Sequence, residues 1–178
     1  HQKVLKVADA YDLFIRKCRV KNLSDATIQS YNTKIKPFID YCNGGNIVSV
    51  TIDTVDGFTD MLKTEHHVND VSVVSYLRSV RAFLYYCMEC NYMATFKIHL
   101  PKAQKAIKEI YSDEDLEKLL VKPNTNTCSF TEYKTWVFEN YMIATGNRLS
   151  TALNVHIKDL NFEDGLITLR KTKNRKQQ

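Results

Sequence analysis

The architecture of this chain turns on one stretch, ATGNRLSTALNVHIKDLNFEDGLITLRKTKNRKQQ, residues 144–178. It begins where a helical pattern stops. Trp136, Val137, Tyr141 and Met142 precede it at helical spacing, and Gly146 is the residue type that tolerates left-handed backbone at a helix end. A further helix is predicted from about Leu149 to Val155. Then the period changes. Asp164-Gly165 signals a tight turn, and Leu166, Ile167, Thr168 and Leu169 read as a strand. After Leu169 the sequence turns basic, with Arg170, Lys171, Lys173, Arg175 and Lys176 and no acid. The whole formal net charge of +5 sits in this run, because the remaining cations and acids cancel. A concentrated cationic segment suits a phosphate-facing element. A solvated basic tail is the alternative.

Upstream, four amphipathic segments precede a connector. The first repeats Val7, Tyr11, Phe14, Ile15 and Cys18 at helical spacing. The second follows Ser24, a good N-cap, and carries Ile28, Tyr31, Ile35, Phe38, Ile39 and Cys42 before Asn43-Gly44-Gly45-Asn46 stops it. The third runs from about Asp53 through Val55, Phe58, Met61 and Leu62. The fourth and longest sets Val73, Leu77, Val80, Leu84 and Cys87 on one face. Four such helices close a core of ~100 residues. Residues 94–110 hold Pro101, alternating lysines and no sustained period. A boundary is therefore expected there, between about 97 and 108, giving domains 1–102 and 103–178. Beyond it, Ser112 caps a helix with Asp113, Glu114 and Asp115 in its first turn and Leu116, Leu119 and Leu120 after them. Ser129 and Glu132 have capping-box spacing before the next helix. The expected class is mainly α: a four-helix domain, a linker, then a helical second domain ending in a truncated β-hairpin.

Composition removes many functions. Hydrophobic residues at 44% and charged residues at 25% are ordinary globular values and exclude wholesale disorder. No run of about 18 apolar residues suits a membrane span. The first ten residues lack the apolar core of a secretory signal, so a cytoplasmic location is expected. Five glycines are too few and too scattered for a dinucleotide fingerprint or a P-loop, and HExxH and GxSxG are absent. The five cysteines are odd in number and irregular in spacing. Cys87-Met-Glu-Cys90 lacks a second ligand pair, His99 being a lone possibility, so two thiols one helical turn apart are expected there. His66-His67 reads as a polar helix end. No metal and no cofactor are expected. The start at His1 reads as a processed chain or an expressed fragment, and the stop soon after a strand as a second sign of a fragment.

The run Ala144-Thr145-Gly146-Asn147-Arg148-Leu149-Ser150-Thr151-Ala152-Leu153 resembles the first catalytic box of the tyrosine recombinase, or phage-type integrase, family, which reads roughly T-G-x-R-[IL]-S-E-[LA]-L. The likeness continues through Asp159-Leu160, Asp164-Gly165 and a strand to Lys171-Thr172-Lys173, where the family has a lysine-bearing hairpin. Leu23-Ser24-Asp25-Ala26-Thr27-Ile28, with Tyr31 after it, is similar to the second-helix opening of the family's SAM-like core-binding domain. Tyr76-Leu77-Arg78-Ser79-Val80-Arg81-Ala82-Phe83 is similar to that domain's last long helix. The resemblance covers nearly all the chain.

What it implies is DNA cleavage and rejoining, with duplex DNA clamped between two domains, tetrameric assembly on DNA, and no membrane. Arg148 holds the position of the arginine that clamps the scissile phosphate. Lys171, directly before Thr172, holds that of the lysine that protonates the leaving 5′-oxygen, with Lys173 as the alternative. Candidate DNA contacts are Thr27, Gln29, Ser30 and Lys34 on the second helix, Arg78, Arg81 and Tyr85 on the fourth, and Arg170, Lys173, Arg175 and Lys176. Two departures stand out. Thr151 replaces the carboxylate that usually orients the arginine. All ten tyrosines, Tyr11 to Tyr141, precede Arg148, and no His-x-x-Arg follows it. The nucleophile is therefore expected beyond this chain, which by itself binds DNA without cutting it. A non-enzymatic DNA-binding protein or recombination regulator of the same fold is the alternative, and a helical adaptor a third.

Overall fold

Ser24 and Asn69 start two of the four helices that build the first half. Ser24 Oγ accepts from the Thr27 amide at 3.3 Å, and Asn69 Oδ1 from the Ser72 amide at 2.9 Å. The computed structural model describes residues 5–103 and 109–170. It divides into two units, His1–Ile107 and Lys108–Gln178. In the first, α1 is Val7–Val20, α2 Asp25–Tyr41, α3 Ile52–Thr64 and α4 Asp70–Glu89, with a 3-10 turn over Ile47–Ser49. Asn43 and Gly44 take left-handed backbone (φ 43° and 72°) and turn the chain after α2.

The apolar stripes read from the sequence face one core. α4 packs against α1, α2 and α3. Its Val73, Leu77, Val80, Phe83, Leu84 and Cys87 are buried, as are Phe38 of α2 and Phe58 of α3. Phe38 and Phe58 meet edge-on at 5.2 Å, and Phe83 lies 5.8 Å from both Tyr11 and Phe14. Leu5 and Val7 exchange backbone bonds with Ile47 and Gly45, which pins the start of α1 to the α2–α3 turn. Residues 90–103, which follow α4, carry no helix, yet Met93 and Ile98 still enter this core. Residues 104–108, within the expected linker, lie outside the described residues. No helix among the described residues is long and apolar enough to cross a membrane.

The second unit holds α5 (Asp113–Leu120), α6 (Phe130–Thr145), α7 (Leu149–Ala152), a 3-10 turn (Ile157–Asp159) and an antiparallel hairpin of β1 (Leu160–Asn161) and β2 (Leu166–Ile167). Both expected caps form as capping boxes, Ser112 with Asp115 and Ser129 with Glu132. The Ser129 amide and hydroxyl hold the Glu132 carboxyl below its ordinary range. Trp136 Nε1 donates to the Leu120 carbonyl at 2.9 Å and ties α6 to the end of α5. Among the described residues of this unit only Thr151, Ala152 and Asp159 are buried.

Two elements differ from expectation. α7 stops at Ala152 instead of reaching Val155, because the Asn154 and Val155 amides bond three residues back, to Thr151 and Ala152, and the chain tightens into 3-10 geometry. The strand is two residues long, and its observed partner lies before the Asp164-Gly165 turn. Asn161 closes that turn: its Oδ1 accepts from the Glu163 and Asp164 amides, both at 3.0 Å.

Candidate functional site

The first-box corner is built from side chains that serve its backbone. α6 ends on Gly146 with φ 60°, a left-handed value that a glycine adopts without cost. Thr145 Oγ1 donates to the Tyr141 carbonyl at 2.7 Å and receives the Asn147 amide at 3.4 Å. Asn147 Nδ2 donates to the Tyr141 hydroxyl at 3.0 Å. These bonds hold the two residues before Arg148. Arg148 itself is extended (φ −67°, ψ 142°) and is the N-cap of α7. Its carbonyl accepts from the amides of Thr151 at 2.8 Å and Ala152 at 3.0 Å. Its side chain is exposed and forms no ion pair among the described residues. A planar, permanently charged guanidinium on a fixed corner is suited to receive two oxygens of one phosphate. Thr151 is 6% exposed and brings no charge to Arg148.

Past α7 the structure ties three segments to Asp159. Its Oδ2 accepts from the His156 amide at 3.0 Å. Its carbonyl accepts from the Thr168 amide at 2.9 Å. Its Oδ1 receives Nε of Arg170 in an ion pair whose carboxylate is buried and whose guanidinium is half-exposed. Arg170 first, and then the His156 amide, hold this carboxyl below its ordinary range. Sequence reading gave Asp159 no role. A signal existed: once Asp164-Gly165 is a hairpin turn, Asp159 falls opposite Thr168, one diagonal step from Arg170. Lys171, Lys173, Arg175 and Lys176 lie outside the described residues.

In the first unit the α4 candidates share a face. At 100° per residue Arg78, Arg81 and Tyr85 fall within about 60° of one another. Arg78 is exposed, Arg81 half-buried, and neither is in an ion pair among the described residues. Tyr85 has a structural task as well: its hydroxyl accepts from the Ile98 amide at 3.3 Å, fastening the chain that leaves α4. On α2, Thr27, Ser30 and Lys34 share a face and Gln29 lies on another. Thr27 is also engaged in the cap, its hydroxyl 2.8 Å from that of Ser24. The cysteines are free thiols. Cys87 is fully buried, which pushes its thiol up to about 12, and Cys90 is the C-cap of α4. No cluster of three or more metal-ligating side chains occurs among the described residues.

Residues 11–92 match the family model described as "Phage integrase, N-terminal SAM-like domain". The tyrosine recombinase XerA of Saccharolobus solfataricus is 24% identical over 176 residues, covering 93% of this chain and 56% of that protein. The tyrosine recombinase XerD of Listeria innocua is 26% identical over 154 residues, covering 83% and 51%. A probable integrase/recombinase of Acholeplasma phage L2 is 31% identical over 128 residues, covering 66% and 40%. A solved chain described as XerA recombinase superposes with a TM-score of 0.44 at 18% identity, over 96% of this chain and 57% of that one. The chain spans about half the length of the curated relatives it matches.

Proposed function

We propose that this chain, a relative of the tyrosine recombinases and phage integrases, binds duplex DNA for site-specific recombination. Arg148 carries the reading. It is exposed and without an ion pair among the described residues, on a corner fixed by Tyr141, Thr145 and Gly146. There its guanidinium donates two parallel hydrogen bonds to the non-bridging oxygens of the scissile phosphate and stabilises the charge that builds as phosphorus becomes pentacoordinate. Lys171, with Lys173 as the alternative, protonates the leaving 5′-oxygen. Surrounding cations lower the pKa of an ammonium and so favour that transfer. The attacking tyrosine lies beyond these 178 residues, since all ten tyrosines precede Arg148.

With threonine at 151, Arg148 is oriented by the phosphate and by its own corner, without a carboxylate beside it. The α4 face of Arg78, Arg81 and Tyr85 and the α2 face of Thr27, Ser30 and Lys34 supply DNA contacts in the first unit. Gln29 contributes from a separate face. The two units clamp the duplex in the cytoplasm, and the complete protein assembles as a tetramer on it.

The test is the salt dependence of duplex binding by this chain. Each phosphate neutralised steepens the log–log slope by about −0.9. Binding that ignores salt would overturn the DNA reading and leave a helical adaptor. Arg148→Ala, placed in the protein that carries the nucleophile, should abolish cleavage and spare most binding. Undiminished cleavage would remove Arg148 from the chemistry, and the same fold would then stand as a non-enzymatic DNA binder.

A further inference from the structure

We propose that Asp159 is a positioning residue, which takes Arg170 out of the phosphate-contacting set and uses it to anchor the origin of the basic run 171–178. The inference deepens the DNA reading above and rests on it. The charge pattern alone ranks Arg170 with its neighbours as a DNA contact. The structure gives it another partner. The Asp159 carboxylate is 3% exposed and already engaged by the His156 amide, so its second oxygen needs a donor, and Arg170 Nε is that donor. The backbone closes the same frame, because the Thr168 amide bonds the Asp159 carbonyl two residues before Arg170.

Burial decides the direction of preference. A buried carboxylate that loses its cation is left with an uncompensated charge, whereas a surface arginine that gains a phosphate exchanges one solvated partner for another. Arg170 therefore stays with Asp159 when DNA binds. The ion pair and the hairpin together fix Arg170, the last described residue before the basic run. The 3-10 turn at Ile157–Asp159 connects this anchor back to α7 and the Arg148 corner.

The test compares Arg170→Gln, Asp159→Asn and the double variant in the full 178-residue chain, reading duplex affinity across a salt series. Expected are several-fold weaker binding in each single variant, an unchanged salt slope, and no further loss in the double. A slope reduced by about one in Arg170→Gln, with Asp159→Asn binding as well as the parent chain, would make Arg170 a phosphate contact and overturn the proposal. Additive losses would overturn it too. Exchange of the Thr168 amide, followed without DNA, keeps the two levels apart. Equal acceleration in both single variants, with none added in the double, upholds the anchor even if the parent chain binds DNA without salt dependence. In that event the DNA reading alone falls. Unchanged protection in both single variants removes the anchor itself.

Discussion

Phe83→Ala should be a costly truncation in the first unit. Phe83 is fully buried, with Tyr11 edge-on at 5.8 Å and Phe14 at 5.8 Å. Removing a buried phenylalanine ring costs about 3–5 kcal/mol in transfer and cavity terms. The two ring contacts, at roughly 0.5–1.5 kcal/mol each, place this site in the upper part of that range. For a unit of this size each 1 kcal/mol moves the midpoint by about 4–8 °C, so a loss of about 4–5 kcal/mol should lower the melting temperature by roughly 16–40 °C. The control is Phe130→Ala, at a ring 80% exposed on the first turn of α6, where the change should stay within about 0.5 kcal/mol. Urea and thermal unfolding followed by far-UV circular dichroism give both numbers. A Phe83→Ala loss under about 1 kcal/mol, or a Phe130→Ala loss equal to it, would refute the assignment of Phe83 to a close-packed core.

Ser129→Ala should cost α6 about 1 kcal/mol by deleting the acceptor for the Glu132 amide, and Ser129→Gly about as much less as a smaller cap defect allows; chemical denaturation reads both. In native alkylation Cys18 and Cys87, both buried, should stay unlabelled until denaturant is added, while Cys90 and Cys128 are modified, as peptide mass mapping will report. Labelling of Cys87 at the rate of Cys128 would contradict its place in the core. The Asp159 carboxyl is depressed by folding, so its contribution is complete above the unfolded value near about 4 and is lost as pH falls through the lower folded value. Thr168 amide protection should accordingly persist at neutral pH and decay in acid, and Asp159→Asn should flatten that profile.

The first unit was legible because its residues obey one period. Val73, Leu77, Val80, Leu84 and Cys87 mark a single stripe, and a stripe of that width has to face a core. The caps at Ser24, Ser112 and Ser129 were legible for a local reason: each bond spans three residues. The second unit was harder. Leu153 and Val155 continue the apolar pattern of α7, but backbone bonding changes from four residues back to three after Leu153, and no hydrophobic period records that switch. The strand was read forward from the turn, while its partner Leu160–Asn161 precedes the turn in a segment too short to show alternation. Arg148 was singled out because a motif surrounds it. Asp159 was missed because its partner stands eleven residues away in sequence and becomes a neighbour only once the hairpin register is known.

α4 has a consequence for how a chain of this kind diversifies. Its buried stripe packs against three other helices, so the core holds its axis. Along that axis Arg78, Arg81 and Tyr85 are set at intervals of about 4.5 Å and 6 Å. Neither arginine carries the core, so the pattern of charge and reach on this face is free to be rewritten while the axis and its spacing stay constant. Tyr85 is the exception, since replacing it also releases Ile98. A lineage exploring new ligands on this surface thus inherits a fixed scale with two interchangeable marks and one that is soldered in place.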